Sequence, residues 1–263
     1  MLKREMKINF KNFLIWTLIL IGLFLVVFLI YPSIINGENM EMLNEMMTMF
    51  PEEILKAFNM DIASIDSAYG WLKTEGFVFV LLITGIYSGI LGSSILLKEE
   101  NDKTIEYLNS VPVTRDKIIL SKVLCGIIYI VLMVVSLGIF NYIGLSISGP
   151  FDKTAYILLS ITPLFSSIVI FALCLFLSTF THKTKKTLGI SLGIVFASYF
   201  LQVLGEMSES TEALKYLSVF TLADIRNVIL DGKINLVMVV ISIFISVIFI
   251  LFTSFRYNKK ELV

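Results

Sequence analysis

Six stretches of this chain contain no aspartate, glutamate, lysine, arginine or histidine: Phe13–Tyr31, Gly76–Leu97, Val123–Ile147, Ala155–Phe180, Leu188–Leu204 and Leu236–Phe255. Charged residues make up 16% of the 263 positions and hydrophobic ones 57%. A soluble domain of this length cannot hide so much apolar surface, so that class is excluded. Histidine occurs once, at His182, which excludes metal centres built on several imidazoles. The two cysteines, Cys125 and Cys174, both lie in apolar runs; they read as small fillers, not as a disulfide or redox framework. No G-x-x-x-x-G-K-S/T pattern occurs, so the usual phosphate-binding loop of an ATPase is missing. The runs also lack the midplane carboxylate or histidine of an ion-coupled transporter.

Each run approaches or exceeds the ~20 residues that a helix needs to cross the hydrocarbon layer. In lipid, backbone groups must bond within the segment, so the runs are helices. The expected fold is an all-α integral membrane protein, one domain over residues 1–263 with six transmembrane helices. The first run ends at Tyr31-Pro32-Ser33 without a small-residue cleavage pattern, and it reads as a retained span. Segments 1–12, 98–122, 181–187 and 256–263 hold 15 of the 21 lysines and arginines. By the positive-inside rule these segments, and both termini, are expected in the cytoplasm. Loop 33–75 has eight acidic residues against two lysines, which suits the outer side.

Several shorter features qualify this plan. In residues 1–12 and just beyond, Leu2, Met6, Phe10 and Phe13 share one helical face, with Lys3, Arg4, Lys7 and Lys11 around them. An amphipathic elbow helix on the inner leaflet fits this pattern, as does a merely basic topogenic flank. Met42, Met46 and Met49 form a helical stripe in the outer loop; it reads as an interfacial surface, or less readily as a soft Cu(I) site. Segment 205–233 is half apolar and is expected to dip partway into the membrane. Gly85, Ser88, Gly89, Gly92 and Ser93 line the second run, and Gly189, Gly193, Ala197 and then Gly205 line the fifth. Such small-residue rows let helices approach closely, within one chain or between two. Pro163 is expected to kink the fourth run, and Asn141 is a lone polar group in the third.

The most informative segment is 98–122, KEENDKTIEYLNSVPVTRDKIILSK. Thr104–Val111 suits a short helix with Ile105, Leu108 and Val111 on one side and Glu106 elsewhere. Val111-Pro112 ends it, and Thr114 is a candidate N-cap for the next helix. Arg115 and Lys122 are expected at the headgroup level. A short helix fixed to two spans can pass a push into both; an ordinary charged connector is the plainer alternative. Glu99-Glu100 also brings to mind intramembrane metal or general-base sites, but their further ligands are absent, and His182 reads as a solvated loop residue.

Here the chain resembles permease subunits of the ABC-2 (type V exporter-like) family. Their loop after the second span reads approximately E-x-E-x-G-T-x-x-x-L-x-x-x-P-V-x-R. This chain has Glu99-Glu100, Thr104, Leu108, Pro112-Val113 and Arg115 in that order, with Lys103 where the family has glycine. The resemblance implies a coupling helix over Thr104–Val111 that docks on a separate ABC ATPase. It implies two ATPases, with ATP and Mg bound there and no cofactor in this chain, and a second permease, identical in the simplest case. It assigns Glu99, Glu100, Thr104, Ile105, Glu106, Leu108, Val111, Pro112 and Arg115 to coupling, and Gly189, Gly193 and Ala197 to the permease pair. Export from a bacterial plasma membrane is implied, with an amphipathic, antimicrobial or toxin peptide as the expected cargo and no nucleic-acid partner. An intramembrane enzyme and a non-transporting sensor or scaffold are the alternatives.

Overall fold

The computed structural model describes residues 1–34, 45, 48–51, 67–104, 113–223, 225, 228, 229 and 232–260. Every regular element among them is helical, and six helices are long and apolar enough to cross a membrane. They are α1 (Leu2–Ile34), α2 (Ala68–Ile95), α4 (Arg115–Ser148), the pair α5 (Lys153–Ile161) and α6 (Pro163–Ser178), α7 (Thr184–Met207) and α8 (Leu236–Lys259). A short α3 (Lys98–Asn101) follows α2. Two 3-10 helices, Glu209–Leu217 and Val219–Ala223, return the chain after α7.

Segment 1–12 is not a separate elbow. It is the first third of α1, a helix of 33 residues, about 50 Å long at ~1.5 Å per residue. Its inward face begins with polar residues. Glu5, Asn9, Phe13, Thr17 and Leu20 are buried, Phe10 is exposed, and Leu2 and Met6 are only partly covered. The reason is that a polar partner awaits Glu5 inside the bundle.

α2 and α6 form the central seam, with α4, α7 and α8 packed around it. A side chain on Gly92 would stand 2.5 Å from the Phe171 carbonyl oxygen, and one on Gly126 would stand 2.2 Å from the Phe171 ring. Glycine at both positions is what lets the fully buried Phe171 sit between α2 and α4. Gly85 receives the Phe220 ring of the return segment, which also touches Ile170. The small-residue row of α2 is therefore consumed inside this chain. Gly205 is likewise packed against the Lys215 backbone, whose nitrogen a Cβ placed there would meet at 2.6 Å, and does not extend the row on α7.

Pro163 does more than bend the fourth span: it starts α6 afresh, one residue after α5 ends. Thr162 between them is fully buried, and its hydroxyl donates to the Leu159 carbonyl at 2.9 Å. The Asp152 carboxylate caps α5, accepting from Thr154 N and Ala155 N. Both cysteines are buried and free.

Candidate functional site

Both ends of the chain meet the charged segment at one end of the bundle. The centre of that meeting is Lys122, near the start of α4 and fully buried. Its ammonium donates to the Ile95 carbonyl at 2.7 Å, to both Glu99 carboxylate oxygens at 2.9 and 2.8 Å, and to Glu5 Oε2 at 3.2 Å. Arg4 Nη2 stands 3.9 Å from Glu99 Oε1. A buried ammonium is tolerable only when it is paired and its donors are used, and here α1, α2 and α3 supply the acceptors. Lys122 is thus a buried hub and not a headgroup anchor.

Glu100 makes a second junction beside it. Lys260 Nζ donates to Glu100 Oε1 at 2.8 Å and to the Thr181 carbonyl at 2.7 Å. His182 Nδ1 lies 2.8 Å from Glu100 Oε2, with its side chain 53% exposed. His182 is therefore a half-covered partner of the charged segment and not a freely solvated loop residue. Asn101 Nδ2 donates to Thr184 Oγ1 at 2.5 Å, which ties α3 to the start of α7. Because Glu99 and Glu100 are engaged by lysines, they do not converge on a metal position. Among the described residues no three His, Cys, Asp or Glu side chains are grouped to hold a metal ion.

The far root of the segment is held as firmly. Thr114 is the N-cap of α4, extended in backbone but without a side-chain capping bond. Arg115 Nη1 donates to the carbonyls of Tyr257, Asn258 and Lys260 at 3.0, 3.1 and 2.9 Å. These are carbonyls at the C-terminal end of α8, where a cation satisfies orphan acceptors and complements the helix dipole. Asp116 Oδ1 accepts from Ser254 Oγ at 2.6 Å and from Asn258 Nδ2 at 2.8 Å.

Of the residues read from the sequence, Glu99, Glu100 and Arg115 come together at this end. Thr104 is exposed, and its amide donates to the Glu99 carbonyl at 2.9 Å. Ile105, Glu106, Leu108, Val111 and Pro112 lie outside the described residues. Gly189, Gly193 and Ala197 are exposed on α7, and a Cβ on either glycine would meet nothing within 4 Å. Glu5, Lys122 and Lys260 were not singled out for these roles. A signal for Glu5 existed: it is the one acid in residues 1–12, and Asn9 follows it one helical turn later.

Lys103, the departure from glycine, has φ of 53°. Its own amide donates to the Glu100 carbonyl at 3.4 Å, while that of Thr104 reaches Glu99. Those two bonds are the Schellman closure of a helix, whose left-handed residue is usually glycine. Lys103 keeps the turn that glycine makes without strain.

A profile of ABC-2 family transporter proteins matches residues 2–262. The chain belongs to the ABC-2 transporter family. No curated protein matches it. Membership makes this ABC-2 chain the membrane permease of an ABC transporter, a kind of chain that generally works with an ABC ATPase partner and is generally not itself catalytic. Six apolar helices agree with a multi-pass membrane protein.

Replacing Lys122 by Met leaves two buried carboxylates without their shared cation. The expected loss is about 3–5 kcal/mol, read as a lower midpoint of thermal unfolding in detergent. The double replacement with Glu99→Gln should lose less than the sum of the single changes. Lys103→Gly should act in the opposite sense. It removes the cost of a left-handed side-chain residue, about 1 kcal/mol, and should raise the same midpoint.

Proposed function

We propose that this ABC-2 permease couples ATP hydrolysis on a separate ATPase to export across a bacterial plasma membrane. The observation that carries this reading is the anchoring of both roots of segment 98–122. Glu99 and Glu100 hold one root against α1, α4 and α8, and Arg115 holds the other on the end of α8. A force that reaches either root bears directly on the spans to which that root is bonded. Both termini, and this end of the bundle, face the cytoplasm, as the clustering of lysine and arginine favours.

In this reading Thr104–Val111 is the helix that seats on the ATPase, with Ile105, Leu108 and Val111 facing it and Pro112 closing the corner. Two permeases and two ATPases make the working unit, with ATP and Mg on the ATPases. The permeases pair through Gly189, Gly193 and Ala197. Their exposure, with no described residue of this chain over the glycines, supports that role, because small rows favour close helix contact in lipid. The cargo is an amphipathic peptide, of the antimicrobial or toxin kind that the resemblance suggests.

Leu108→Asp combined with Glu106→Arg should cut recovery of the ATPase with tagged permease by about tenfold or more, since a groove contact loses its apolar anchor. Membrane insertion should be unchanged. Undiminished co-purification would reject the coupling helix. Gly193→Leu should shift the permease from pair to single chain in native mass spectrometry, because a large side chain separates backbones that glycine allows to touch. An unchanged pair would place the interface elsewhere.

A further inference from the structure

The first turns of α2 and of α5 border a half-open cavity of about 150 Å³. Its floor is apolar, with Leu159 of α5 and Val228 beyond the return segment both buried. Its mouth is polar and carries both signs of charge. Lys73 comes from the π-helical turn Leu72–Gly76 and Asp152 from the N-cap of α5, together with Tyr69. π-helical turns in otherwise regular helices frequently occur at functional sites.

The two charges are not spent on each other. No ion pair joins Lys73 or Asp152 to any described residue. Lys73 instead places its ammonium 5.5 Å from the centre of the Tyr69 ring. Asp152 Oδ1 accepts from Thr154 N at 2.9 Å and Ala155 N at 3.1 Å. The aromatic wall beside them is well fixed. The Tyr69 and Phe151 rings stand 5.8 Å apart, Phe151 meets Tyr156 edge-on at 5.8 Å, and Tyr156 is bonded to the Gly138 carbonyl. Opposite charges lining one cavity gain by being bridged, and the space between them is open to a ligand that carries both signs.

Depth narrows the ligand. Along α2, Lys73 is roughly 33 Å from Ile95 at ~1.5 Å per residue, about one hydrocarbon thickness. Ile95 is tied to Lys122, beside the charged segment, so Lys73 and Tyr69 stand at the opposite boundary, where tyrosines and lysines meet headgroups. A cavity below the ~300 Å³ of sites that enclose whole ligands admits a headgroup and leaves the acyl chains in the bilayer.

We propose that this cavity binds the headgroup of an aminophospholipid, with its phosphate diester on Lys73 and its primary ammonium on Asp152. Phosphate and carboxylate are each strong acceptors for an ammonium. A primary ammonium donates hydrogen bonds to Asp152, a quaternary one does not, and a glycerol headgroup brings no cation. The lipid is a resident ligand, and its binding does not depend on what the permease exports.

The test uses full-length permease, delipidated in mild detergent and offered equimolar phosphatidylethanolamine, phosphatidylcholine and phosphatidylglycerol, with retained lipid read by native mass spectrometry. Phosphatidylethanolamine should be retained about threefold to fivefold over the other two, the range of a partly exposed ion pair. Asp152→Asn keeps an α5 cap, since asparagine caps as well as aspartate, and should erase that preference while leaving phosphatidylglycerol unchanged. Lys73→Met should weaken retention of both phosphatidylethanolamine and phosphatidylglycerol by about fivefold or more, because each loses its charge-assisted phosphate contact. Equal retention of the three lipids by native permease, or a preference that survives Asp152→Asn, would overturn the proposal. Displacement of the lipid by an equal concentration of soluble glycerophosphoethanolamine would overturn a membrane lipid as the source of the headgroup.

Discussion

A single ammonium organises one end of this protein. Lys122 has no access to water, so its charge must be answered from within, and the answers come from the Glu5 and Glu99 carboxylates and the Ile95 carbonyl. This requirement explains why α1 begins so early and continues unbroken into its span: Glu5 has to reach the hub. It also explains why the inward face of that segment is polar at Glu5 and Asn9. Removing one partner of such a group is far more damaging than replacing the whole set by apolar residues would be. The arrangement therefore specifies position more than it adds stability.

The hub matters because α2 leads away from it through close packing. Past Ile95, the helix presents Gly92 to the Phe171 carbonyl and Gly85 to the Phe220 ring. Close-packed interiors transmit displacement instead of absorbing it. The same helix carries Lys73 toward its other end. One element thus runs from the charged segment, along the seam with α6, to the region of the return segment.

The spans and the family were legible in the sequence because both signals are local. A charge-free run announces a helix, and Glu99-Glu100, Thr104, Leu108, Pro112-Val113 and Arg115 fall within one short stretch. The hub was not legible because its members are remote in the chain: 23 positions separate Lys122 from Glu99, 117 separate it from Glu5, and 160 separate Glu100 from Lys260. Apolar spacing on residues 1–12 pointed to a lipid-facing surface, and Phe10 is exposed there, but that spacing carried no sign that Glu5 on another face pairs inside the bundle. The place of Lys73 escaped notice for a different reason. A count of uncharged residues stops at the first charge, but a helix continues as long as its backbone bonds do, and α2 extends back to Ala68. Lys103 shows the reverse case: the departure from glycine was visible, and its turn is nevertheless made.

The broken fourth span divides its loyalties. Tyr156 on α5 donates its hydroxyl to the Gly138 carbonyl of α4 at 2.7 Å, and rings of Tyr142, Phe151 and Tyr156 cluster there. α6 belongs instead to the seam with α2 and to α8. Between them lies one buried threonine and a proline that supplies no amide hydrogen. The fourth span thus changes partners at Thr162: its first half is tied to α4, its second to α2 and α8.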